Sequence, residues 1–132
     1  MYILTARRAK TRMNALNLGL RFLLELAALF IVGYWGWHQD SGAFRFILAV
    51  IGPLLFAAVW YTFNVKDDPS RSGKAPVPVP GVVRLIIEVV LFTLASIAAY
   101  GSMSELAGTI FASAVLVHYV ASYKRISWML RN

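Results

Sequence analysis

An all-α fold, a four-helix transmembrane bundle built as two tandem helical hairpins, is what this sequence predicts, and three observations predict it. Hydrophobic residues make up 59% of the chain and charged ones 14%, against roughly 45–50% and 25% in a soluble domain. The apolar excess is gathered into four blocks of about 18 to 22 residues, the length that crosses a hydrocarbon core of about 30 Å as a helix. A seven-residue word also recurs. Leu20-Arg21-Phe22-Leu23-Leu24-Glu25-Leu26 returns as Val83-Arg84-Leu85-Ile86-Ile87-Glu88-Val89, each copy with an arginine four residues before a glutamate.

Residues 1–12 carry Arg7, Arg8, Lys10 and Arg12 and are expected to be a basic cytoplasmic tail. Met13 is an alternative start, so this tail is expected to be either native or a non-native extension ahead of a single membrane domain, 13–132. The block that follows, 16–37, is too long for a signal-peptide core and lacks a small-residue cleavage site, so it reads as a retained first span. The short polar stretch His38–Ala43 then turns the chain into an antiparallel second span, 44–63. Gly52-Pro53 is expected to kink that span near its middle. The connection 64–81 is longer and polar. Its alternating Pro76, Pro78 and Pro80 favour an extended, stiff spacer, and Asp67-Asp68 before Pro69-Ser70 reads as a solvated turn. Span three, 82–100, and span four, 106–123, form the second hairpin around Gly101–Glu105.

A formal charge of +7 invites nucleic acid as a partner, but the basic residues flank the apolar blocks instead of forming a stripe. All 13 lysines and arginines except Arg45 lie in, or adjoin, the two tails and the middle connection. By the positive-inside rule both termini and that connection are cytoplasmic. The expected partners are the lipid bilayer and its anionic headgroups, not nucleic acid. With no cysteine in the chain, disulfides and thiolate chemistry are excluded. No zinc spacing, glycine-rich phosphate loop or Ser-His-Asp arrangement is present, so no metal, cofactor or enzymatic activity is expected.

An even number of spans separates the two copies of the word, so both enter from the cytoplasmic side, as a parallel repeat about an axis along the membrane normal. Residues four apart share a helix face. Asn14, Asn17, Arg21 and Glu25 therefore form one stripe on span one, and Gly81, Arg84 and Glu88 another on span three. A charge in hydrocarbon costs about 2.5–3.5 kcal/mol on insertion scales, so these groups should face the interior and pair, with the arginine stems also able to reach toward the headgroups. Arginine ahead of glutamate is the weaker order within one helix, so pairing at least partly across helices is expected. Spans two and four end at the same level with Trp60, Asn64 and His118. The candidate site is thus Arg21, Glu25, Arg84, Glu88, Trp60, Asn64 and His118, either a structural charge cluster or a site for a small ligand or lipid headgroup. The alternative is a proton- or cation-coupled transporter using Glu25 and Glu88. Four spans enclose little volume, so that reading calls for a homodimer.

The run Asn14 to Leu26, Tyr34-Trp35-Gly36-Trp37, Gly52-Pro53, Val59-Trp60 with Phe63, and Pro80-Gly81 before Arg84-Leu85 and Glu88 resemble the YrdB-like family from Met13 onward. The resemblance implies a small four-helix integral protein of the bacterial cell (inner) membrane, of uncharacterised function. It supplies no substrate, cofactor or catalytic residue.

Overall fold

The computed structural model describes residues 2–70 and 74–132, with side chains described from residue 15 onward. The basic side chains of residues 7–12, Asn14 and Arg71 therefore lie outside the described part. The protein is all-α apart from one two-residue ladder. Its helices are α1 (Tyr2–Trp37), α2 (Phe44–Thr62), α3 (Gly81–Ser102), α4 (Glu105–Ala121) and α5 (Tyr123–Arg131). Among the described residues three stretches are long and apolar enough to cross a membrane: Ala15–Trp37, Phe44–Thr62 and Gly81–Ser102. A fourth exists if α4 and α5, bent by 67° at their junction, are counted as one span.

The first connection is closed by the one basic residue that the charge pattern left on its side. Arg45 lies over the Trp37 ring at 4.0 Å and donates to the Trp37 carbonyl at 3.1 Å. Close helix approach then depends on small residues, as is common between apolar helices. A Cβ on Gly36 would stand 2.5 Å from the Leu48 carbonyl oxygen, and one on Gly33 3.3 Å from Pro53. Pro53 sits inside α2 with Gly33 beside it. In the second hairpin Ser104 caps α4 by accepting from the Ala107 amide at 3.0 Å, as N-cap serines do.

Burial follows a 3–4 spacing on two helices. Arg21, Leu24, Ala28 and Ile31 lie among the buried positions of α1, and Arg84, Glu88, Leu91, Ala95 and Ala98 among those of α3. That spacing is one helix face, and the two faces meet: α1 packs against α2, α3 and α4, and α3 runs along α4. The outward faces are apolar, with Leu16, Phe30, Ile97 and Leu106 all more than half exposed. Such a surface is unfavourable in water and suited to lipid.

Three expectations need correction. Span two ends at Thr62, because Phe63–Asn64 pairs in parallel with Val77–Pro78 as β1 and β2. The proline-rich segment is thus extended as expected, but it is tied back to the end of α2 instead of standing free. Helix α4 ends at Ala121. The chain breaks at Ser122 and α5 folds back onto α3, where Met129 is fully buried against Gly81. Arg125 and Met129 therefore belong to the interior and not to a solvated tail. Finally, Asp68 is 2% exposed, so the residues after α2 are not simply a solvated turn.

Candidate functional site

The site grows from the spacing of Arg84 and Glu88. One turn apart on the buried face of α3, they bond directly, Nε to Oε2 at 2.7 Å. The remaining capacity of the Glu88 carboxylate is taken up by three other elements. Arg21 of α1 donates to Oε2 at 3.2 Å, the Tyr119 hydroxyl of α4 to Oε1 at 2.8 Å, and Arg125 of α5 to both oxygens at 3.0 and 2.8 Å. Glu88 has no exposed surface. An ionised carboxylate there is tolerable only because its lone pairs are all engaged by charged or polar donors.

Trp60 joins this hub to the second glutamate. Its indole N–H donates to Glu25 Oε1 at 2.7 Å, while the Arg84 and Arg21 guanidiniums lie 4.6 and 5.3 Å from its ring centroid. Arg84 also donates to the Trp60 and Phe63 carbonyls at 2.6 and 2.8 Å. These are acceptors left open where α2 ends, and Arg84 satisfies them. Desolvated cation–π contacts are worth about 2 kcal/mol each, so Trp60 holds the arginines as firmly as it holds Glu25.

The two copies of the repeated word are therefore not equivalent. Both local pairs form, with Arg21 to Glu25 at 3.2 Å, and the cross-helix pair Arg21 to Glu88 forms as well. Glu25 keeps 15% side-chain exposure and accepts only from Arg21 and Trp60 among the described residues. Arg21 and Arg84 are 4% and 0% exposed. Neither stem extends outward, because each guanidinium is held inside by acceptors.

Four network members lie outside the set to which the sequence points: Asp68, Ser70, Tyr119 and Arg125. Asp68 accepts from Arg125 at 3.1 and 2.7 Å, and from the Ser70 amide and hydroxyl at 2.8 Å each. Ser70 in turn accepts from Arg21 at 2.7 Å. One signal was legible: His118, Ser122, Arg125 and Met129 follow a 4–3–4 spacing, a single helix face, which could have pointed Arg125 inward. Nothing local marks Asp68. His118 and Asn64 lie beside the hub and do not bond to its side chains. His118 Nδ1 bonds to Asn17 Oδ1 at 2.8 Å, and Asn17 donates to the Ser122 hydroxyl. Asn64 Nδ2 donates to the Tyr61 carbonyl at 2.7 Å.

Burial by itself pushes the Asp68 carboxyl up, but the hydrogen bonds and charge of Arg125, with the two bonds from Ser70, outweigh it and hold the group below its ordinary 3.8. The linkage sign follows. A carboxyl depressed by folding stabilises the protein above its unfolded pKa of about 3.9, and that stability is lost as pH falls through the lower folded value. Asp68→Asn is expected to cost about 1–3 kcal/mol near neutrality, the size of a bond to a charged group. Melting curves in detergent should show that deficit unchanged from pH 7 to about 5 and shrinking below about pH 4. A deficit independent of pH would refute the ion pair.

Residues 19–117 match the family described as "Protein of unknown function (DUF2568)". The chain is 40% identical over 121 residues, 92% of its length, to "Uncharacterized protein YrdB" of Bacillus subtilis (strain 168), and the match covers 98% of that protein. No solved structure matches the chain.

Proposed function

The chain belongs to the YrdB-like DUF2568 family of proteins of unknown function, and from that footing we propose a non-enzymatic, multi-pass protein of the bacterial inner membrane. Four spans in two hairpins would put both termini on one side, and the lysine and arginine pattern favours the cytoplasm for that side. The Arg/Glu network then closes the cytoplasmic-leaflet end of the bundle as a structural lock. The observation that carries this reading is the charge balance. Among the described residues, Arg21, Arg84 and Arg125 meet Glu25, Glu88 and Asp68 in five ion pairs, three cations against three anions, with no surplus cation for an anionic ligand inside the cluster. Hydrophobic residues of similar volume are often as stable as a buried ion pair. The network is therefore better suited to fixing how four segments meet, α1, the turn at Asp68, α3 and α5, than to adding raw stability.

The alternative, a proton- or cation-coupled transporter working as a homodimer, draws support from Glu25 alone, the partly exposed carboxylate with an oxygen that has no donor among the described residues. One preparation separates the two. In proteoliposomes with an imposed proton gradient, the structural reading expects no flux above empty vesicles. Flux abolished by Glu25→Gln would replace it with the transport reading. Because the chain has no native cysteine, Ser41→Cys and Lys74→Cys variants report topology in cells. An impermeant maleimide should label the first in intact spheroplasts and the second only after lysis, and the reverse pattern would invert the orientation.

A further inference from the structure

Beside the network lies a groove of about 500 Å³, between the start of the first span, the 67–70 turn and the junction of α4 with α5. We propose that this groove seats a membrane phospholipid whose headgroup carries both a phosphate and a primary ammonium. Its lining is divided. Leu16, Leu20 and Trp128 form apolar wall, while Asn17, Ser70 and Ser122 supply polar surface. Ser70 is held in place by the network, through Arg21 and Asp68, and Asn17 by His118 beside it.

Charge complementarity selects the occupant. Arg125 borders the groove, but its guanidinium is committed to Asp68 and Glu88. Two charged residues lining the groove remain, Lys124 and Asp67, both exposed and without an ion pair or side-chain hydrogen bond among the described residues. Among the described residues the groove thus offers one cation and one anion. A headgroup with a phosphate for Lys124 and an ammonium for Asp67 satisfies both, whereas a purely anionic headgroup is repelled by Asp67. The backbone fixes where Asp67 stands. It adopts a left-handed conformation at φ 63°, in a turn closed by the Asp68 amide on the Val65 carbonyl at 3.3 Å. Asp and Asn accept that conformation more readily than other non-glycine residues.

Position selects a lipid over a free phosphoester. Leu16 and Asn17 are among the first residues of the apolar stretch Ala15–Trp37, so the groove opens where hydrocarbon gives way to headgroups. Leu16, 83% exposed, continues the apolar wall along the outside of α1, where an acyl chain can follow it.

The test uses the full chain purified in mild detergent, with lipid retention read by native mass spectrometry. Phosphatidylethanolamine should be retained over phosphatidylglycerol by about two- to five-fold, the worth of one exposed ion pair. Asp67→Asn keeps the left-handed turn and removes only the charge, and it should erase that preference. Lys124→Gln should weaken retention of both lipids. Neither variant touches the ion-pair network, so melting temperatures should stay close to the parent, and the lock can stand or fall separately. Equal retention of the two lipids, or a preference untouched by Asp67→Asn, overturns the proposal. Displacement of the lipid by soluble phosphoethanolamine at equal concentration would assign the groove to a free phosphoester and overturn the lipid assignment.

Discussion

Replacing Glu88 by glutamine is expected to destabilise the protein by about 3–5 kcal/mol, the cost of breaking a buried ion pair from one side. The side chain barely changes shape, so the effect is electrostatic. Arg21, Arg84 and Arg125 would be left facing only Glu25 and Asp68, with one positive charge uncompensated among residues that are 4% exposed or less at Arg21 and Arg84. The Tyr119 hydroxyl would also lose a charged acceptor. The decisive comparison adds Arg84→Met to Glu88→Met. If the two charges belong to one network, the double variant should recover much of the loss, because the orphaned charge is removed with its partner. Unfolding in detergent with increasing dodecyl sulfate measures all three variants. Additive losses would mean that Arg84 and Glu88 are not coupled, and the structural lock would be abandoned.

Gly81→Ala is the second large expected effect, and it acts through sterics. A Cβ there would fall 1.8 Å from the Met129 carbonyl oxygen and 2.4 Å from its carbonyl carbon. Both obstacles are backbone, so no rotamer change relieves the overlap, and α5 must lift from the start of α3. Overpacking of this kind costs about 1–3 kcal/mol, occasionally more. Hydrogen exchange should show α5 losing protection while the centre of α3 keeps it. Gly19→Ala is the control. Nothing lies within 4 Å of a Cβ at that helical position, so it should gain about 0.5–1 kcal/mol from the lower entropy of the unfolded chain. Equal behaviour of the two substitutions would show that α5 is not seated against Gly81.

Both effects trace back to residues that differ in how far they could be read in advance. Arg21, Glu25, Arg84 and Glu88 were legible because an i, i+4 spacing is local and a charge in an apolar block must find a partner. Trp60 was legible as an amphipathic group at the same depth. His118 and Asn64 are expected at the level of the cluster, yet depth along a helix does not say which way a side chain turns. His118 serves Asn17 and Asn64 serves the Tyr61 carbonyl. Asp68 was read as solvated because its neighbours, Pro69 and Ser70, are turn residues, and turns are usually wet. Its burial depends on Arg125, 57 positions away, which no local pattern contains.

What the sequence by itself determined is the all-helical character, the membrane-length apolar stretches and the polar word carried on two of them. Each follows from composition and periodicity within about twenty residues, where the chemistry of the segment decides its own conformation. The tertiary structure decided the rest. It made Glu88 the hub and left Glu25 half as an outlier, broke the last helix at Ser122, and folded Arg125 back to join Asp68 to α3. Those outcomes turn on which segment meets which, through a backbone approach at Gly81 and a balance of three charges against three. Such terms exist only between parts of the chain that the fold has already brought together.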